Sequence, residues 1–437
     1  MRKINLIVFI GTLSISTLSF GQDTLTISKK DIGQIAKDKN LQLQIANHAF
    51  KSAQADYRQS NALFLPSITA SHTGISTTNP LMAFGSKLNQ EVLTASDFNP
   101  ALLNDPAVIQ NYATKIEVLQ PLINVDGLYG RQAAKSKMEA FQLQIERTGE
   151  YLALEVNKSF MQLQLAYKAV IVLEKANATA GANLKLIENY FKQGILQKTD
   201  ILSVQVRVNE IKNQLQYAKS NVQNASDYLA FLLNEDNTNK VYKPSEELDN
   251  TITISSSNIT LSANRKDILA MDKSSEAYSK MYQSSKMNFL PTLNAFGSYE
   301  MYDDTLFGTN AQGYLVGAQL SWKVFDGYKS IGKMEKAKAE YQKAKVENQQ
   351  YKSQSQLELN KTNRQLKDAE NKVNLEKLAL EQSQEAYRIR SNRFTQGLEK
   401  TTDLLQAETQ MFQKELQLLQ AVFEYDFTQE YLQFLSK

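Results

Sequence analysis

No cysteine occurs in the 437 residues of this sequence. Disulfides, thiol catalysis, iron–sulfur clusters and a lipid-modified cysteine are therefore excluded. Histidine appears only as His48 and His72, and no GxSxG, P-loop, dinucleotide or HExxH pattern accompanies them. The expectation is a protein that is not an enzyme and holds no cofactor and no metal; His72 reads as a polar strand residue. Charge of one sign is also missing. Forty-nine Lys and Arg against 46 Asp and Glu leave a net +3 with no basic stripe, so no nucleic acid is expected as a partner. Proline is sparse, and its seven positions leave 122–243 and 292–437 free of it, which is what very long helices require.

Long apolar runs are absent too, except at the start. "MRKINLIVFIGTLSISTLSFGQD" has a basic beginning (Arg2, Lys3), an apolar core and small residues at Ser19 and Gly21. It reads as a secretory signal peptide over 1–21, cut after Gly21. An N-terminal anchor is the other reading, although the apolar core is shorter than the ~20 residues a spanning helix needs. Beyond it no run of about 18 apolar residues occurs, so membrane residence would have to be as β-structure.

What the chain does have is a repeat. "LFLPSITASHTG" (Leu63–Gly74) and "NFLPTLNAFGSYE" (Asn288–Glu300) each follow a polar helical run and precede an alternating one. Pro66 and Pro291 are offset by 225 residues, Asp126-Gly127 and Asp326-Gly327 by 200, and "NYFKQGILQKTDIL" (Asn189–Leu202) and "NRFTQGLEKTTDLL" (Asn392–Leu405) by 203. Landmarks in the same order at matching spacing mark two tandem copies of one unit. The first copy runs over 22–235 and the second over 263–437, with a linker at 236–262. The drop in offset places about 25 extra residues in or near 76–112, read here as a long loop between two strands.

Within a copy, period two follows each proline. Strands are expected at about 66–78, 112–125, 291–302 and 313–325. Val316, Ala318, Leu320, Trp322 and Val324 share one face and Gly317, Gln319, Ser321 and Lys323 the other. Such strands suit a transmembrane barrel with a wet interior. They equally suit a soluble sheet with one buried face. Trp322 reads as an interfacial or lipid-facing anchor. After each Asp-Gly the pattern becomes helical for about 60 residues. Phe141, Ile145, Leu152, Val156, Phe160, Leu163, Tyr167 and Val170 form a narrow seam on a polar rod. Gly194 and Gly397 are expected in the left-handed cap conformation, giving tips at about 193–200 and 396–403. Thr199, Asp200, Thr402 and Asp403 then supply N-cap oxygens for returning helices. Pro66 and Pro291 switch helix to strand; Asp126, Gly127, Asp326 and Gly327 turn strand back to helix. Four strands cannot enclose a pore, since the smallest single-chain barrels have about eight, so a homo-oligomer is inferred.

With these landmarks the sequence resembles the TolC-type outer-membrane efflux proteins over about residues 24–437. The resemblance implies a mainly α fold with a transmembrane β-barrel part: a homotrimer giving four strands per chain to a twelve-stranded barrel in outer-membrane lipid, with long periplasmic helical hairpins. It implies the exit duct of a tripartite efflux pump or type I secretion system. A periplasmic adaptor (membrane fusion protein) would dock, and an inner-membrane RND- or ABC-type transporter would supply energy. The adaptor-contact tips carried over are Gly194, Ile195, Leu196, Thr199 and Asp200, with Gly397, Leu398, Thr402 and Asp403. The tunnel-mouth constriction would be Asp200, Glu399, Asp403 and Gln406. The family's best-known member carries an arginine at the position of Glu399 and an aspartate at that of Gln406, so its closing network is not expected here. For Asp200 and Asp403, simple N-capping is the other reading. The alternative for the whole chain is an exported periplasmic coiled-coil adaptor or structural interaction protein. It would be expected to show one hairpin and a Gly-rich β-domain, neither of which fits this sequence.

Overall fold

A computed structural model describes residues 23–236, 240–247 and 260–437; the expected signal peptide lies outside them, as does most of the 236–262 linker. In chain order the elements are β1 (Asp23–Ile27), α1 (Lys29–Lys39), α2 (Leu41–Gln59), β2 (Ser67–Thr77), α3 (Pro80–Asn89), α4 (Pro100–Asn104), β3 (Ile109–Ile123), α5 (Val125–Lys192), α6 (Lys198–Leu233), β4 (Lys240–Pro244), α7 (Lys266–Met287), β5 (Thr292–Asp303), β6 (Ala311–Ser321), α8 (Lys329–Thr395) and α9 (Thr401–Ser436). The two proline-free tracts become continuous helices of 68 residues (α5) and 67 residues (α8). Among the described residues, no helix is long and apolar enough to cross a membrane. The chain forms two compact units, and each draws on both sequence copies.

The unit made of Met1–Leu41, Gly149–Ile259 and Asn360–Phe434 is mainly helical among its described residues. The distal parts of α5 and α8 each return as α6 and α9, and the four bury a shared apolar core that includes Ala176, Ile187, Val204, Ile211, Phe394 and Leu404. On α5 the buried positions Leu173, Ala176, Ala180, Asn183 and Ile187 recur at 3, 4, 3 and 4, a coiled-coil seam. Over 152–164 the expected narrow seam is wider. Leu154, Met161 and Gln164 are buried as well as Leu152, Val156, Phe160 and Leu163. Two returning helices meet this stretch, Tyr228 of α6 donating to Glu155 and Phe427 of α9 lying under Lys158, and β4, paired in parallel with β1, adjoins its far end at Tyr167. Tyr242 of β4 is 1% exposed, donates its N–H to Ser226 Oγ (2.9 Å) and accepts from Tyr167 Oη at its carbonyl (3.2 Å). Asn234, at φ 51°, closes α6 in the left-handed conformation.

The unit made of Gln42–Thr148, Thr260–Leu359 and Leu435–Lys437 carries the large sheet. Its order is β2-β3-β5-β6, all antiparallel, with register shifting at Pro121/Ile123 where a bulge takes up the proline. Pro66 and Pro291 sit directly before β2 and β5 and end the helical runs there. The extra residues of the first copy are not a plain loop. Pro80 and Pro100 stand at the first turns of α3 and α4, where a missing N–H costs nothing, and Asn79 and Asn99 cap them. The two Asp-Gly pairs also part ways. Asp126 and Gly127 lie inside the first turn of α5, and Asn124 Oδ1 accepts the Gly127 N–H (2.9 Å). Asp326 precedes α8 and takes both the N–H and the hydroxyl of Ser330, while Gly327 adopts φ 66°.

The helices below the sheet strands are tied by one buried ionic group. Asp267 accepts from Arg265 Nε (2.7 Å) and Nη2 (2.8 Å) and from Tyr351 Oη (2.6 Å), with Arg147 Nε at 3.4 Å. Arg265 also donates to Ser355 Oγ (2.8 Å) and to the Leu435 carbonyl (3.1 Å). One carboxylate thereby joins α5, α7 and α8.

Candidate functional site: hairpin tips and a two-faced sheet

Both hairpin tips use the same stop. At the first, Gly194 has φ 75°, its N–H donates to Phe191 O (2.9 Å), and Ile195 N–H reaches back to Tyr190 O (2.9 Å). At the second, Gly397 has φ 75°, its N–H donates to Phe394 O (3.0 Å), and Leu398 N–H reaches Arg393 O (2.9 Å). This paired arrangement is the Schellman motif, and it explains the aromatic-x-x-Gly spacing shared by the two copies. It leaves Ile195 and Leu398 standing out, 59% and 63% exposed, while Leu196 packs against the core.

Beyond the glycines the tips differ. Thr199 and Asp200 are not N-caps. The helix begins two residues earlier, with Gln197 as cap, and Asp200 at the third position accepts the Gln197 N–H (3.0 Å). Asp403 likewise sits in the first turn of α9 rather than before it, with Thr402 beside it, and a carboxylate is favoured at that end by the helix dipole. Glu399 meets two arginines of its own chain, Arg390 (3.1 Å) and Arg393 (2.9 Å), and Arg390 Nη1 also lies 4.0 Å from Asp403. The structure thus gathers Glu399 and Asp403 around Arg390. Thr402 and Gln406 line a polar groove of about 700 Å³ with Ser203 and Arg207 between α6 and α9. Asp200 stays in its own capping box. The arginines were not picked out from sequence; the only signal is a basic pair six and nine residues before an acidic one.

A second feature hidden from the sequence lies deeper. Glu408 of α9 is fully buried at a seam position between Leu404 and Met411. Asn183 Nδ2 of α5 donates to its Oε2 and lies 3.5 Å from Tyr387 Oη of α8. Glu408 Oε1 is buried without a hydrogen-bond partner. Burial pushes this carboxyl above its ordinary range, outweighing the Asn183 hydrogen bond and the charge of Arg207 on α6. A lone polar pair in an apolar seam fixes register at some cost in stability.

The sheet has two unlike faces, set by its register. One carries Ile68, Ile116, Val118, Tyr299, Val316 and Leu320, and most of these are strongly exposed. The other carries Thr69, Ser71, Thr73, Lys115, Glu117, Ser298, Glu300 and Gln319, with Ile75, Leu119, Phe296 and Leu315 among its apolar members. Phe296 lies over its cross-strand partner Gly317, where a Cβ would come within 2.7 Å of the ring. Strands of 11 to 15 residues, apolar and exposed on one side and polar on the other, match what a lipid bilayer asks of a spanning strand. Trp322 leaves this pattern. β6 ends at Ser321, and the indole donates to Phe289 O (3.0 Å) across the strand start.

The sequence profile of the outer membrane efflux protein family matches residues 32–235 and 260–435. Solved structures with the same fold include a membrane protein from Pseudomonas aeruginosa (17% identity, 94% of this chain and 93% of that one, TM-score 0.80). The CmeC outer membrane channel of Campylobacter jejuni is similar at 15% identity, covering 93% of this chain and 85% of that one, with a TM-score of 0.79. The outer membrane protein VceC of Vibrio cholerae is similar at 16% identity, covering 92% and 95%, with a TM-score of 0.78. No curated protein sequence matches the chain.

Proposed function

The chain belongs to the outer membrane efflux protein family, whose members are passive channels rather than enzymes, and from that premise we propose that it is the exit duct of a tripartite efflux pump or type I secretion system. The duct is a homotrimer, three chains giving four strands each to one barrel in the outer membrane. The helical hairpins meet a periplasmic adaptor, and an inner-membrane transporter of the RND or ABC class supplies the energy. The observation that carries this reading is the sheet. It has one apolar exposed face and one polar face, and among the described residues β2 and β6 are edges with no further strand beside them. Four strands are too few to close a barrel, and exposed edges invite pairing with another copy. At the tips, the exposed Ile195 and Leu398 on rigid glycine turns offer the adaptor its apolar contact, and Asp200, Glu399, Asp403 and Gln406 border the tunnel mouth. The test is extraction of outer membranes with and without detergent, followed by native mass measurement. A detergent-dependent trimer is expected. A monomer or dimer released without detergent would leave an exported coiled-coil interaction protein instead.

A further inference from the structure

We propose that Lys115, Glu117 and Glu300 form a charge-selecting element in the wall of the barrel lumen, one that favours cationic over anionic solutes. The inference rests on the trimeric barrel proposed above. Only four charged residues occur in β2, β3, β5 and β6: Lys115, Glu117, Glu300 and Asp303. Asp303 ends β5 and is occupied by its own loop, accepting from Thr305 N (2.9 Å), Thr305 Oγ1 (2.7 Å) and Asn310 N (3.1 Å). The other three converge. Lys115 Nζ lies 3.1 Å from Glu117 and 3.5 Å from Glu300, its direct cross-strand partner. Tyr302 and Ser298 donate to the two oxygens of Glu300 and hold it in place.

A charge in a membrane-spanning strand belongs on the side that meets water, because the lipid side is costly for it. All three lie on the polar face, so that face lines the lumen. One lysine against two glutamates leaves one negative charge per chain, and three chains repeat it at the same height. The lysine does not cancel the site; it bridges the carboxylates and keeps both ionised groups fixed on the wall rather than free in the stream. At ~8 Å in water one charge changes a monovalent ion's local concentration by roughly twofold, and three act together. Screening confines the effect to low salt, since the Debye length is about 30 Å at 0.01 M and about 3 Å at 1 M.

The chain has no cysteine, so single thiols report cleanly. Ser71 pairs with Lys115 on the polar face, and Ile116 sits on the apolar one. Ser71→Cys and Ile116→Cys would be labelled in outer-membrane vesicles with a cationic and an anionic methanethiosulfonate of equal size. The expected result is reaction at Ser71→Cys only, with the cationic reagent, each rate taken relative to that with a free thiol at the same salt, about two- to tenfold faster at 0.01 M salt and the ratio near one at 1 M. Adding Glu117→Gln and Glu300→Gln, which leaves Lys115 alone, should invert the ratio. If Ser71→Cys reacts and Ile116→Cys does not, but the ratio ignores the glutamates, the inference is overturned and the barrel stands. If both thiols react alike, the sheet does not separate lipid from water, and both fall.

Discussion

Glu408 offers the sharpest test of the helical core. It is wholly buried, one oxygen is held by Asn183, the other has no partner, and burial raises its carboxyl above the ordinary range. A group whose folded value is raised stabilises the fold fully below its unfolded value, and loses that contribution as pH rises through the folded value. Stability should therefore fall on going from acid toward neutral pH, starting from the ordinary carboxyl range. The slope in that window is at most about 1.4 kcal/mol per pH unit for each chain. Glu408→Gln keeps the acceptor for Asn183 and cannot ionise. At about pH 4 it should match the parent within about 1 kcal/mol, the scale of one net hydrogen bond. Near neutral pH it should be the more stable of the two. Thermal midpoints of the detergent-solubilised protein, followed by circular dichroism between about pH 4 and 8, measure the difference directly. Parallel curves for parent and variant would mean that the buried carboxyl titrates as it does in the unfolded chain.

Gly317→Ala should destabilise the sheet by about 1–3 kcal/mol, since its Cβ would meet the Phe296 ring, while Gly313→Ala, with open space around it, should be near neutral in the same unfolding assay. Asp267→Asn should cost about 3–5 kcal/mol by removing the buried negative charge that faces Arg265 and Arg147. Burial raises the Asp267 carboxyl, but Arg265, Tyr351 and Arg147 together hold it below its usual range. Its contribution is accordingly present above the unfolded value and lost as pH falls through the folded one, opposite in sign to Glu408. Gly194→Ala and Gly397→Ala should each cost about 1–2 kcal/mol through backbone strain alone, read as faster proteolysis at the altered tip.

The fold was legible where local chemistry and global structure agree. Pro66 and Pro291 announce strands because proline ends a helix and gives up no ladder hydrogen bond at the residue before one. Gly194 and Gly397 announce tips because only glycine takes φ 75° without strain. The same rules misled at Pro80 and Pro100, where proline opens a helix instead of breaking one, and the asparagine before each was the signal to read. Asp200 and Asp403 read as caps in sequence because a carboxylate is favoured throughout the first turn of a helix; only the helix start decides, and sequence leaves that to within a turn. Glu408 and the Lys115 cluster were out of reach. A carboxylate in a seam looks like a surface residue until its neighbours are known, and Lys115 meets Glu300 only through strand register.

A barrel closed by strands from three copies requires β6 of one chain to pair with β2 of the next. Cysteine pairs placed along these two edges, one in β2 between Ser67 and Thr77 and one in β6 between Ala311 and Ser321, can form a disulfide only where Cβ atoms approach to about 4 Å. Oxidation in intact outer membranes should give covalent dimers and trimers at one register and nothing larger. Pairs that never link chains, or a ladder running past three, would mean that the strands do not close in threes.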